Sequence, residues 1–220
     1  MPSVLPCLLT WLFFLAGCAN GSPPGTPGAA EEHSGPRKLS IGSVDVHLDD
    51  RIVEIPGHVN MTNGVVELLA CGPGGKTHES VFVLNARPTD LHAAFLLLGQ
   101  RPGTAPDPSR ETPPSGPLIE IEVSWQEDDI LVCIQAGKTV SNRMNQSVLE
   151  QADWAFTGST IIDGSYMAEV DESFVATFWD PWAVLNLSHP AGGDDTALMV
   201  NAEALPAKGS RVTFRFGVPR

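Results

Sequence analysis

No Cys-x-x-Cys pair, no Gly-x-Ser-x-Gly elbow and no excess of positive charge occurs in the 220 residues. The first absence, with only two cysteines, Cys71 and Cys133, in the body over 39–220, leaves too few thiolates to hold an iron–sulfur cluster. The second removes the strained strand-to-helix turn that exposes a hydrolase serine, and Thr157-Gly158-Ser159 lacks its flanking pattern. A net charge of −13 excludes recognition of a nucleic-acid backbone or an anionic lipid surface by charge, since both need a basic face. The acidic residues are scattered, which reads as a solvated surface. Regular strand–helix alternation is also missing, so a doubly wound parallel sheet is not expected.

What is present begins at the amino terminus. Val4 to Ala16 is almost wholly apolar, the length of a signal-peptide core and too short to span a bilayer as a mature helix. It ends in Leu15-Ala16-Gly17-Cys18, and the first Lys or Arg is Arg37. This ending resembles the lipobox of bacterial lipoproteins. The resemblance implies cleavage before Cys18, a diacylglyceryl group on its sulfur and an acylated new amino terminus. Membrane lipid would then be held through Cys18, each buried CH₂ contributing about 0.8 kcal/mol. The other reading is an ordinary signal peptide with Cys18 beside the cut by chance.

Residues 19–38 are rich in Gly, Pro, Ser and Ala and read as a flexible tether. The expected division is therefore a leader over 1–17, a lipidated Cys18 with its tether over 18–38, and one domain over 39–220. Ala19-Asn20 lacks the Asp after cysteine that resembles an inner-membrane retention signal, which favours the outer membrane or its periplasmic face.

In the body, residues 51–84 read as a three-stranded meander, with turns at Asn63-Gly64 and at Gly72-Pro73-Gly74-Gly75. PTDLHAAFLLLG is the best helix: Pro88 suits its first turn, Asp90 the positive end of its dipole, and Gly99 its close. Residues 91–98 carry no charge, so the helix is expected to be central and buried on most faces. Residues 100–117 form a long Pro-rich loop, read as a mobile excursion. LIEIEVSW alternates, with Ile119, Ile121, Val123 and Trp125 on one face, and turns through Glu127-Asp128-Asp129 into ILVCIQ. A helical turn over 146–152, a hairpin at Asp163-Gly164, a short helix WAVLNL after Asp180-Pro181 and two last strands, ALMVNA and RVTFRFGV with Val212, Phe214 and Phe216 facing in, complete the reading. The fold class expected is α+β: mainly antiparallel β, meander or sandwich-like, with one central buried helix and one or two short ones.

Four stretches taken together resemble the YdjY-type domain family of exported and lipid-anchored bacterial proteins. They are Gly72–Ser80, Arg87–Ala94 with Leu96–Gly99, Trp154–Ser159, and Ser173–Phe178. The likeness covers most of residues 50–218. It implies export and a coherent fold, and it implies no particular reaction.

The densest polar cluster is Lys76, His78, Glu79 and Ser80, followed by Asp90 and His92. His78, Glu79 and His92 could form a two-His-one-carboxylate metal site of a metal-dependent enzyme. Against that, His92 reads as a core histidine and Glu79 as a capping or pairing residue. Ser80 and His78 are poorly disposed for nucleophilic catalysis on one strand face. The glycine cluster reads as a hairpin loop rather than a phosphate cradle. Cys71 and Cys133 could be a disulfide in an oxidising compartment or two small buried thiols. Trp154, Trp179 and Trp182, with Phe174 and Phe178, would bind sugar rings or a partner if exposed and read as core. Asn60, Asn145 and Asn186 begin glycosylation triplets by chance. The leading expectation is a lipid-anchored binding or interaction module without a cofactor, its partner an envelope protein, a glycan or a small molecule.

Overall fold

The computed structural model of the chain describes residues 35–107, 109, 112–150 and 152–220. The apolar run, Cys18 and the tether as far as residue 34 lie outside the described residues. Arg37, placed in the tether by sequence, is held: its guanidinium donates to Asp49 at 2.6 Å.

Strands β1 (Lys38–Ile41), β2 (Val44–His47) and β3 (Ile52–Val59) pair antiparallel in succession. Next come β4 (Leu68–Cys71) and β5 (Ser80–Leu84), then helix α1 (Pro88–Leu97). The hairpin of β6 (Leu118–Glu127) and β7 (Ile130–Gln135) is followed by β8 (Val140–Asn142) and β9 (Trp154–Phe156). A small hairpin, β10 (Ile161–Ile162) and β11 (Ser165–Tyr166), leads into the single turn α2 (Met167–Val170). The last strands are β12 (Ser173–Ala176), β13 (Leu185–Leu187), β14 (Leu198–Val200) and β15 (Arg211–Gly217).

The order β3-β15-β6-β9-β13-β12-β4-β5 returns on itself, because β5 pairs with β3. The result is a closed eight-stranded barrel. This overturns the expected α+β meander or sandwich with a central helix. Two of the joins, β4 with β5 and β12 with β13, are parallel. The meander expected over 51–84 fails there: β4 does not pair with β3, and β5 returns to it instead. Four-residue strands make this possible, since a short excursion can carry the chain back to the start of β4.

Eight strands enclose a lumen that side chains alone can fill. Ile119, Ile121 and Val123 of β6, as expected from their alternation, are buried there with Val212, Phe214 and Phe216 of β15 and Val53 and Ile55 of β3. Helix α1 closes one end and does not lie centrally. Leu91, Ala94 and Phe95 are buried, whereas Leu96 and Leu97 are about half exposed at 50% and 49%. Absence of charge over 91–98 was therefore a false sign of burial, because one uncharged face stays open. Gly99 closes the helix as expected: at φ +80° it lets Gln100 N–H donate to Phe95 O at 2.9 Å.

A series of ring contacts, edge-to-face except for the tilted Phe214–Phe216 pair, links lumen to cap. Phe82 meets Phe214 at 5.0 Å, Phe214 meets Phe216 at 5.9 Å, Phe216 meets Phe95 at 5.9 Å, and Phe95 meets Phe156 at 5.0 Å. Other expectations change more locally. WAVLNL is a turn followed by β13, not a helix, and residues 146–150 form no helical turn. The Pro-rich stretch is not simply an excursion, since Thr104 bridges Ser115 and Asp107 bridges Thr112. Asp163-Gly164 is the two-residue hairpin turn anticipated, both residues having positive φ.

Candidate functional site

The four sequence blocks assemble in pairs. Gly72–Ser80 meets the end of the Ser173–Phe178 block, and Arg87–Gly99 meets Trp154–Ser159. Two polar clusters result, of opposite character.

The first follows from the parallel join. Between β4 and β5 the chain travels back along the outside of the barrel, so Lys76 lies over Glu67 at the foot of β4. The crossing runs against Glu172, whose carboxylate accepts from Gly74 N–H at 2.8 Å. A Cβ on Gly72 or Gly74 would fall 2.2 or 2.6 Å from that carboxylate, which explains the glycines. They form neither a hairpin nor a phosphate cradle, because the chain's own carboxylate fills the place. Lys76 Nζ lies 3.6 Å from Glu67 and 3.5 Å from Glu79. With Leu68, Phe178, Trp179, Asp180 and Pro181, Glu67 and Lys76 line a hollow of about 120 Å³.

Asp180 accepts from Trp182 N–H at 2.8 Å and Ser173 Oγ–H at 3.3 Å. Burial pushes its carboxyl above the ordinary range. Burial, and then the charge of Glu79, does the same to Glu67. Burial acts to pull Lys76 down, but Asp180, Glu79 and Glu67 outweigh it and hold the ammonium more basic than usual. The cluster is thus a lysine bound among carboxylates, not a nucleophilic amine. Behind it the Asn186 side chain donates to Asp180 O at 2.9 Å and to Thr157 Oγ1 at 3.0 Å. Asn186 is fully buried, so its glycosylation triplet has no structural standing.

The second cluster lies at the capped end. Helix α1 and the β10–β11 hairpin form two walls of a groove of about 560 Å³, lined by Thr89, His92, Ala93, Leu96, Gly158, Ser159, Thr160, Ile161 and Tyr166. None of these residues carries a formal charge when His92 is neutral. Leu96 is 50% exposed and Ile161 70%. His92 Nδ1 and the Tyr166 hydroxyl are 2.8 Å apart. The imidazole also packs edge-on to Phe156 at 5.1 Å and to Tyr166 at 5.5 Å, extending the ring series to the groove. Burial lowers the His92 pKa, opposed by a backbone hydrogen bond to Gly158, so the ring is neutral at pH 7. Burial, and then the charge of Glu169, raises Tyr166 and keeps its hydroxyl protonated. Glu169 accepts from Arg87 Nε at 2.6 Å and from the Thr89 backbone N–H at 3.2 Å, pinning the start of α1 to α2.

Gly158 must be glycine. Its φ is +76°, and a Cβ would sit 2.4 Å from Pro102 Cβ and 3.1 Å from His92 Cε1.

The sequence-derived metal triad does not assemble. His78 is 79% exposed on the 3-10 turn Thr77–Glu79, with Nε2 3.7 Å from Glu79, while His92 belongs to the groove. Among the described residues no three His, Cys, Asp or Glu side chains converge as a metal-binding group. Cys71 and Cys133 are both free, the first buried under the β4–β5 crossing and the second exposed on β7. Trp154 and Phe174 are core, and Trp179 is mostly buried with its indole N–H donating to Leu187 O at 3.0 Å. Tyr166 was missed by sequence reasoning; its signal was the Asp163-Gly164 turn, which returns the chain so that Tyr166, two residues on, meets His92 of α1.

A larger hollow of about 920 Å³ lies over β3, β15 and β6 beneath Leu131. It joins no buried titratable pair, so the groove is the better candidate despite its smaller volume. Among the described residues no helix is long and apolar enough to cross a membrane.

The described residues thus form a closed barrel with a helical cap and an open, uncharged groove beside that cap. The family described as the YdjY domain matches residues 44–217, and the chain belongs to that family. No curated protein and no solved structure matches the chain.

Proposed function

We propose that the protein is a lipid-anchored envelope component whose barrel works as a binding module, taking an uncharged, mainly apolar ligand between α1 and the β10–β11 hairpin. The anchor is the acylated Cys18 expected from the lipobox-like ending. The observation that carries the binding reading is the groove itself. Its volume of about 560 Å³ falls in the range of small-molecule sites, which run from roughly 300 to 1,000 Å³. Ala93, Leu96 and Ile161 supply apolar walls, and the neutral His92–Tyr166 pair supplies one fixed polar contact.

The test uses Nile red, a neutral apolar fluorophore, with the full chain in a detergent that alone leaves the dye dark. Wild type should brighten the dye saturably. Ala93→Trp, which fills the groove, and Leu96→Arg, which charges its rim, should each abolish that signal without moving the far-UV circular dichroism. A dye signal indifferent to both substitutions overturns the assignment, as does no signal at all. Mass spectrometry of the native amino-terminal peptide tests the anchor separately.

A further inference from the structure

Among the described residues the barrel sheet has two free edges, β1 and β7. Unpaired edges are open templates for another strand, and folded proteins blunt them with charge, proline or bulges. At β1 this is done: Lys38 Nζ pairs with Asp45 at 2.9 Å, and Arg37 with Asp49 just before the strand. At β7 it is not. Ile130–Gln135 reads ILVCIQ, with no charge, proline or glycine along the whole strand. Ile130 is 67% exposed and Leu131 63%. Among the described residues β7 pairs with β6 alone.

We infer that β7 pairs antiparallel with β7 of a second copy, about a two-fold axis through Cys133. An axis normal to the sheet keeps like faces together, so residues of equal parity stand opposite each other. Cys133 then faces Cys133 of the second copy, and Leu131 faces Gln135. No like charges are brought together within the strands. Beyond their ends the charges are complementary. The acidic turn Glu127-Asp128-Asp129 precedes β7 and Lys138 follows it. The two-fold brings the acidic turn of each copy to the end of the ladder at which Lys138 of the other stands, in the 3-10 turn Ala136–Thr139. Lys138 is free to reach that acidic turn, because its present partner is an exposed Glu150 at 3.4 Å. Charge complementarity therefore selects a copy of this chain, in antiparallel orientation, as the occupant.

Sedimentation equilibrium of the full chain in detergent should give a reversible monomer–dimer equilibrium. Cys133→Lys sets two like charges directly opposite and should weaken the dimer by about tenfold. Cys133→Ser keeps size and neutrality and should leave the constant unchanged. Lys138→Glu should weaken association by about threefold. Should Cys133→Lys fail to fold by circular dichroism, the double variant Leu131→Lys with Gln135→Lys, which sets like charges opposite each other at two flanking pairs, serves instead. Bismaleimidoethane at pH 8 should link two chains through Cys133, leaving no linked product with Cys133→Ser. A monomer at every concentration overturns the inference, and so does a dimer whose constant ignores both lysine substitutions.

Discussion

The Lys76 hollow and the His92 groove are both built from paired sequence blocks, yet one is closed by its own chemistry and the other is not. Around Lys76 every charge has a partner within the chain: Glu67 and Glu79 flank the ammonium, and Asp180 takes hydrogen bonds from Ser173 and Trp182. Around His92 the polar atoms are also paired, but the apolar walls are left facing solvent. Buried polar groups bonded to one another mark structure. Unpaired apolar surface marks a place still waiting for contact. Density of charged residues drew the eye to the Lys76 cluster, which the chain closes on itself.

The contrast is broken most severely at the aromatic link. Phe95→Ala removes the ring between Phe156 and Phe216 and should lower unfolding free energy by about 3–5 kcal/mol, read from urea denaturation. Dye binding at the groove should fall with it, whereas Lys76→Met should leave dye binding intact. Lys76→Met strands Glu67, Glu79 and Asp180. Because Lys76 is 40% exposed, the loss at pH 7 should be about 2 kcal/mol, below that of a fully buried pair.

That loss should shrink on acidification, and the sign is fixed by Glu67 and Asp180. Both have folded pKa values raised above the unfolded ones, so each takes up its proton in the folded state first. Their contribution to stability is complete below the unfolded values and is lost as pH rises through the folded ones. Urea midpoints of wild type and Lys76→Met measured between pH 7 and pH 4 should converge. Parallel curves would show that these carboxyls are not what Lys76 holds in check. The smallest effect belongs to Tyr166→Phe, which deletes one hydrogen bond to a neutral imidazole and should cost about 1 kcal/mol. Its consequence for dye affinity should exceed that for stability if the hydroxyl serves the groove.

Much of the barrel wall was legible. Period-two alternation in LIEIEVSW and RVTFRFGV gave the inward faces correctly, because lumen and solvent impose opposite demands on successive residues. Closure was not legible. It depends on β5 choosing β3 and on two parallel joins, which are long-range pairings that leave no local period. Helix α1 was found with its caps, but an uncharged stretch reads the same whether it is covered by protein or left open. For the site, His92 was singled out for the wrong partners. His78 and Glu79 are its neighbours in sequence only, whereas Tyr166 reaches it from 74 residues away.

The ring series has a practical corollary for any test of the proposed ligand at the groove. Six contacts run from Phe82 in the lumen to Tyr166 at the surface, so His92 and Tyr166 belong to the barrel's filling as much as to the groove. Reshaping specificity there trades against folding. Ala93, Leu96 and Ile161 stand outside that series, and they are the positions at which selectivity can be redesigned while the scaffold is spared.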